Sequence, residues 1–186
     1  ILKYYGDDVR NRAKALPAAG SDARMNGCVL PVMINSGSGN QGMTVSLPVA
    51  VFADYLFADK EKEYRALVLS NLVAIYQKNE LGKLSAYCGA VSAATGAGAG
   101  IAYLHGADFD TIAETITNTL ANVSGIVCDG AKASCAAKIA SSVDAAIMAY
   151  YMAAEHRGFQ SGEGLVKKDV EATIKSFGRM GREGMR

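Results

Sequence analysis

The stretch Cys88-Gly89-Ala90-Val91-Ser92-Ala93-Ala94-Thr95-Gly96-Ala97-Gly98-Ala99-Gly100-Ile101-Ala102-Tyr103-Leu104 carries no charged side chain and consists largely of alanine, glycine and serine. The uncharged segment begins at Leu84, so its length would allow a membrane crossing. So few large side chains give a weak transfer energy, and no aromatic belt flanks the segment, which argues against a membrane role. It reads as a central buried helix whose small residues, with Gly96, Gly98 and Gly100 alternating, let neighbours pack closely. A helix of that kind needs other helices around it, and the rest of the chain supplies them.

From Asp59, Tyr64, Leu67, Val68, Leu72, Ile75 and Tyr76 recur at three- and four-residue steps after a polar start of Lys60, Glu61, Lys62, Glu63 and Arg65. This is the stripe that an amphipathic helix turns to a core, and Gly82 reads as its stop. Upstream, Ser21 to Gly27 reads as a turn-rich connection. Cys28-Val29-Leu30-Pro31-Val32-Met33-Ile34 reads as a strand-like run or a helix turn interrupted by proline. A loop follows, Asn35-Ser36-Gly37-Ser38-Gly39-Asn40-Gln41-Gly42, and then an apolar helix from Thr44 to Phe57 with Pro48 near its first turn. Downstream, helices are expected from Asp108 to Leu120, capped by Asp108 or Asp110, and from Ala131 to Glu155. Glycines between Gly158 and Gly164 mark a break. A short amphipathic helix from Leu165 to Phe177 then precedes a basic tail from Arg179 to Arg186. The fold class is all-α, a single compact helical domain around the glycine/alanine-rich helix.

Composition narrows the function. A chain of 186 residues with 50% hydrophobic content is long enough to bury a core. A formal charge of +1 and 8% aromatic residues without tryptophan provide neither a basic face nor a stacking surface, so nucleic acid is a poor partner. The first residue is isoleucine, and no charged region followed by an apolar core succeeds it, so the piece reads as part of a longer cytoplasmic protein.

The chemistry lies in the cysteines. Cys128-Asp129-Gly130-Ala131-Lys132-Ala133-Ser134-Cys135 sets two thiols on a polar turn where a helix begins, and Cys88 heads the uncharged segment. Without a secretory segment there is no redox reason for disulfides, and three converging thiolates suit an iron–sulfur cluster or zinc. The spacing is not C-x-x-C, which makes the zinc signature weak. Cys28 reads as an inert core thiol. His105 and His156 read as helix C-terminal dipole partners, and Lys132 and Lys138 as solvated. The Asn35 to Gly42 loop, feeding a helix N-terminus, is suited to a small anion.

Together, Ser21-Asp22-Ala23-Arg24-Met25, the Asn35 to Gly42 loop, Cys88-Gly89-Ala90 through Gly96-Ala97-Gly98-Ala99-Gly100, and Cys128-Asp129-Gly130-Ala131-Lys132 through Cys135-Ala136 resemble the L-cysteine desulfidase family. That family is related to the α-domain of iron–sulfur-dependent L-serine dehydratases. The resemblance runs from residue 21 to the final helix and matches the C-terminal part of the usual protein. It implies that residues 1–186 are a C-terminal iron–sulfur catalytic domain, and that Cys88, Cys128 and Cys135 bind a 4Fe–4S cluster with one iron free of cysteine. The implied reaction is β-elimination from a small amino acid without pyridoxal phosphate. Motif and loop physics assign the substrate carboxylate to Asn35, Ser36, Ser38, Gly39, Asn40 and Gln41. Lys132 and His105 are the candidate bases within the chain, and the missing N-terminal part is the alternative source.

L-Cysteine is the expected substrate, with L-serine as the runner-up that differs only in leaving group. A different class of reading is a non-catalytic helical domain, which would use the glycine-rich helix for subunit packing, as in a homo-oligomer, and keep its cysteines inert.

Overall fold

The computed structural model describes residues 1–82, 85–128 and 130–185. Leu84 at the head of the uncharged segment, its neighbour Lys83, Asp129 between the paired thiols and the tail residue Arg186 lie outside the described residues. The helices are α1 (Leu2–Tyr5), α2 (Val9–Met25), α3 (Gly39–Tyr55), α4 (Lys60–Leu81), α5 (Gly89–Leu104), α6 (Phe109–Asn122), α7 (Cys135–Ala154) and α8 (Val170–Glu183). The all-α expectation holds.

Helix α5 is the axis of the molecule, and α3, α4, α6 and α7 all pack directly on it. Its small residues decide how close they come. A Cβ at Gly96 would collide with the Ser70 carbonyl oxygen of α4. One at Gly100 would lie 3.0 Å from the Ala66 carbonyl oxygen and 2.8 Å from Val49 Cγ2 of α3. The α4 backbone therefore rests on that of α5. Ala90, Ala94, Ala97 and Ile101 on another side of α5 join Ile139, Val143 and Ala146 of α7 in one apolar cluster. Val91 and Ala99 instead meet Ile116 and Leu120 of α6 and Phe177 of α8.

Close approach inverts the expected faces of α4. Its buried residues are Glu63, Ala66, Ser70, Ala74, Gln77, Lys78 and Leu81. Tyr64, Val68, Leu72 and Ile75, the stripe that periodicity turns inward, are exposed at 61%, 57%, 59% and 40%. Only small or slender side chains fit against a glycine-lined partner, so size selects the buried face there and hydrophobicity does not. The helix ends were read correctly. Asp59 accepts from Lys62 N at 2.8 Å, and Gly82 terminates α4 with φ +97°, in the left-handed region that glycine enters without cost.

Other boundaries move for tertiary reasons. Ser21 to Met25 belongs to α2, where fully buried Ser21 is carried into the packing against α3 and α7. Cys28 to Ile34 has no regular structure, and its members are mostly exposed, with Val29 at 96%. Helix α3 starts at Gly39, so Pro48 lies well inside the helix. Helix α7 starts at Cys135, four residues later than expected. Helix α8 runs through the expected tail to Glu183. Gly178 and Gly181 let it lie against Glu80 and Leu81. No helix of the described residues is long and apolar enough to cross a membrane.

Candidate functional site

Two short extended pieces bring the first two thiols together. Tyr87 pairs with Val127 in an antiparallel bridge; Cys88 N donates to Ile126 O at 2.8 Å and Cys128 N to Ala86 O at 2.7 Å. Side chains alternate across such a ribbon, so Cys88 and Cys128 share one face as diagonal neighbours, about 7–8 Å apart. Cys135 enters from α7, where its backbone N donates to Lys132 O at 2.9 Å. Its Sγ lies 3.9 Å from the Gly130 carbonyl oxygen.

Electrostatics links the three thiols. Burial pushes the Cys88 thiol above its usual range, and charge at Cys128 and at Cys135 pushes it the same way. The Ala90 N–H and the Lys138 ammonium act in the opposite sense. A thiol at a helix N-terminus ordinarily ionises more easily, but at Cys88 desolvation outweighs that help. Cys88 and Cys135 are buried, whereas Cys128 is exposed. Cys28 is exposed as well, contrary to its reading as a core thiol. Lys138 is not simply solvated: its Nζ donates to the Val127 carbonyl oxygen at 3.0 Å.

The glycine-rich loop reaches the thiol-bearing helix through one side chain. Asn35 and Ser38 close a tight turn by reciprocal backbone bonds of 3.1 and 3.0 Å, with Ser36 and Gly37 at positive φ. Ser38 Oγ caps α3 by accepting from Gln41 N. Buried Asn35 donates to Asn71 Oδ1 at 2.9 Å, and Asn40 Oδ1 accepts from Arg24 at 3.1 Å. Gly39 lies against Val32 and Arg24, and Ser36 Oγ donates to Asn35 Oδ1. Gln41 goes the other way. A Cβ placed on Gly89 would lie 2.6 Å from both Gln41 Nε2 and Oε1, so the amide covers the first turn of α5 beside Cys88. The N-termini of α3, α5 and α7, with their positive dipole ends, thus meet at the thiols.

The two candidate bases separate. Lys132 lies exposed on the turn joining Cys128 to Cys135. His105 caps the far end of α5, and a sixteen-residue helix places it about 24 Å from Cys88. There its ring packs on Phe52 and Tyr150, and its Nδ1 lies 3.0 Å from the Ile101 carbonyl oxygen. His105 therefore lies a helix length away from the thiols.

Sequence reasoning missed Lys78. It sits in the last turn of α4 at 6% exposure. Burial lowers its pKa, while the charges of Cys128 and then Cys88 act to raise it. The only signal in the sequence was a lysine at a position whose helical neighbours one turn away, Ala74 and Leu81, are fully buried.

Among the described residues, no three Cys, His, Asp or Glu side chains lie close enough to hold a single metal ion. A four-iron cluster takes its thiolates on separate irons and needs them spread more widely. Among the described residues, three thiols, two lysines and three helix N-termini form a donor set suited to such an anionic cluster.

The class is an all-α domain built around a glycine/alanine helix, and comparison with known proteins assigns its family. The chain belongs to the serine dehydratase alpha chain family, whose model matches residues 3–186. It is 66% identical to a UPF0597 protein of Lachnoclostridium phytofermentans, covering 100% of this chain and 44% of that protein. It is also 59% identical to a UPF0597 protein of Desulfitobacterium hafniense, covering 100% of this chain and 43% of the relative. A UPF0597 protein of Finegoldia magna is 53% identical, again over the whole chain and 45% of its own length. The chain thus spans less than half the length of these relatives. No solved structure matches it.

Proposed function

We propose that the protein carries the iron–sulfur part of a lyase that eliminates the β-substituent of L-cysteine. The observation that carries this reading is the gathering of Cys88, Cys128 and Cys135 at the convergence of three helix N-termini, with the Gln41 amide laid against the same turn. The three cysteines would hold a 4Fe–4S cluster. When bound, the cluster supplies a Lewis acid for the departing sulfur.

The remaining work falls to the chain. First-turn backbone N–H groups of α3, held by the Asn35–Ser38 turn, face a carboxylate without needing to reorganise. Ser38, Asn35 and Asn40 hold the loop's shape through their bonds to Gln41, Asn71 and Arg24. Lys132 is the basic side chain on the turn between two of the thiols, and we assign it the α-proton. Removal of that proton with loss of sulfide leaves aminoacrylate, which tautomerises and takes up water to give pyruvate and ammonia. Further substrate contacts would come from chain outside the matched region, which makes up more than half the length of the relatives.

The test is anaerobic reconstitution with iron and sulfide, followed by assay of L-cysteine and L-serine. A brown chromophore and equal release of sulfide, pyruvate and ammonia from L-cysteine are expected. A chromophore that turns over L-serine alone would assign the serine reaction. Absence of both chromophore and turnover in the intact protein would leave the non-catalytic reading.

A further inference from the structure

Three of the four buried side-chain oxygens without a hydrogen-bond partner among the described residues belong to α3, α4 and α5, one on each. They are Gln41 Oε1, Gln77 Oε1 and Ser92 Oγ. Buried polar groups are ordinarily satisfied, so an orphaned group calls for an occupant. Ser92 is fully buried one turn into α5 from Cys88. It lies on the stripe it shares with Gly96 and Gly100, both of which face α4. Lys78, on the facing end of α4, is 94% buried along its stem, and its Nζ reaches solvent.

Burial lowers the Lys78 pKa, while the charges of Cys128 and then Cys88 act to raise it, so the ammonium stands at the thiol end of α5. A cation and a hydroxyl on one side, with an amide oxygen over Gly89 on the other, match the two ends of an α-amino acid zwitterion.

We propose that Lys78 and Ser92 hold the α-carboxylate of the amino-acid substrate while Gln41 Oε1 accepts from its α-ammonium. The assignment deepens the lyase reading and rests on it for the identity of the ligand. It adds a deep anchor to the backbone donors of the loop, so the substrate is gripped from two sides with its β-carbon toward the thiols.

L-Alanine has both charged ends and no β leaving group, so it binds without reacting. Calorimetric titration of L-alanine into the protein, before and after reconstitution, should give saturable binding that Lys78→Met weakens at least tenfold. Lys78→Arg should recover part of it, and propionate should bind more weakly than L-alanine. Iron content after reconstitution should be unchanged in Lys78→Met, and its circular dichroism should match that of the parent. Equal binding by parent and Lys78→Met, or no binding by the parent in either form, overturns the proposal. Loss of iron with unchanged L-alanine binding also overturns it and makes Lys78 a counter-charge to the thiols. Failure of the lyase reading would appear instead as absent product release, with the titration unaffected.

Discussion

The two ends of α5 carry polar residues of similar promise in the sequence and differ in what surrounds them. At the C-terminal end, His105 has its ring against Phe52 and Tyr150 at centroid distances of 5.7 and 4.8 Å. Its nitrogen is matched to a carbonyl oxygen one turn back. At the N-terminal end, Ser92 Oγ, Gln41 Oε1 and Gln77 Oε1 lack partners among the described residues, and Lys78 is buried near Cys88, whose thiol resists ionisation through burial. One end is satisfied and the other is incomplete. A histidine in a family protein attracts attention by its chemistry, yet an unsatisfied buried group is better evidence of a ligand, because folding alone gives no return for its desolvation.

The sharpest break of this contrast is Cys88→Ser. Iron bound on reconstitution should fall to a small fraction of the parent value, measured by iron analysis and visible absorbance. Cys28→Ser, on an exposed thiol, should retain the parent's iron. Equal retention by both variants would remove the thiol end from consideration as a cluster site.

Gly96→Val tests what holds both ends in place. The added side chain must displace the Ser70 carbonyl of α4, and backbone cannot yield as a flexible side chain does. A loss of about 3 kcal/mol in urea unfolding is expected, and it should disturb the thiols and the His105 ring contacts together. An effect confined to one end would mean that α4 and α5 do not act as one body.

Lys78→Met should act in the opposite direction, raising stability by roughly 1–2 kcal/mol near neutral pH by removing a desolvated cation. Its pH dependence separates it from the thiols. The Lys78 pKa is lowered from 10.5 in the folded state, so below 10.5 there is a window where the unfolded chain binds more protons and stability rises with pH. The Cys88 pKa is raised from 9.0, so its contribution is present below about 9 and is lost as pH rises through the folded value. Unfolding curves of parent and variant between pH 7 and 10.5 should therefore converge as pH rises. Parallel curves would place Lys78 in water.

The smallest effect is expected at the satisfied end. His105→Ala should leave iron binding and the KM for L-cysteine unchanged and cost about 1 kcal/mol or less through its ring contacts. A fall in kcat with unchanged stability would reinstate His105 as a participant.

Much of this architecture was legible in the residues themselves. The uncharged alanine and glycine run identified the buried axis, Asp59, Asp108 and Gly82 marked helix ends through local hydrogen bonding, and the motifs singled out the three cysteines. Local rules operate over a few residues, and there the sequence decides. The buried face of α4, the helical course of Ser21 to Met25 and the end of α8 were settled only when helices met. Hydrophobic periodicity records the character of side chains but not the space a partner leaves, and against Gly96 and Gly100 that space admits Ala66, Ser70 and Ala74 while Val68 and Leu72 stay outside. The removal of His105 from the site and the arrival of Lys78 have the same origin. Cys88 and His105 lie at opposite ends of one rigid helix, whereas Lys78, ten residues before Cys88, returns to it because α4 and α5 pack backbone to backbone.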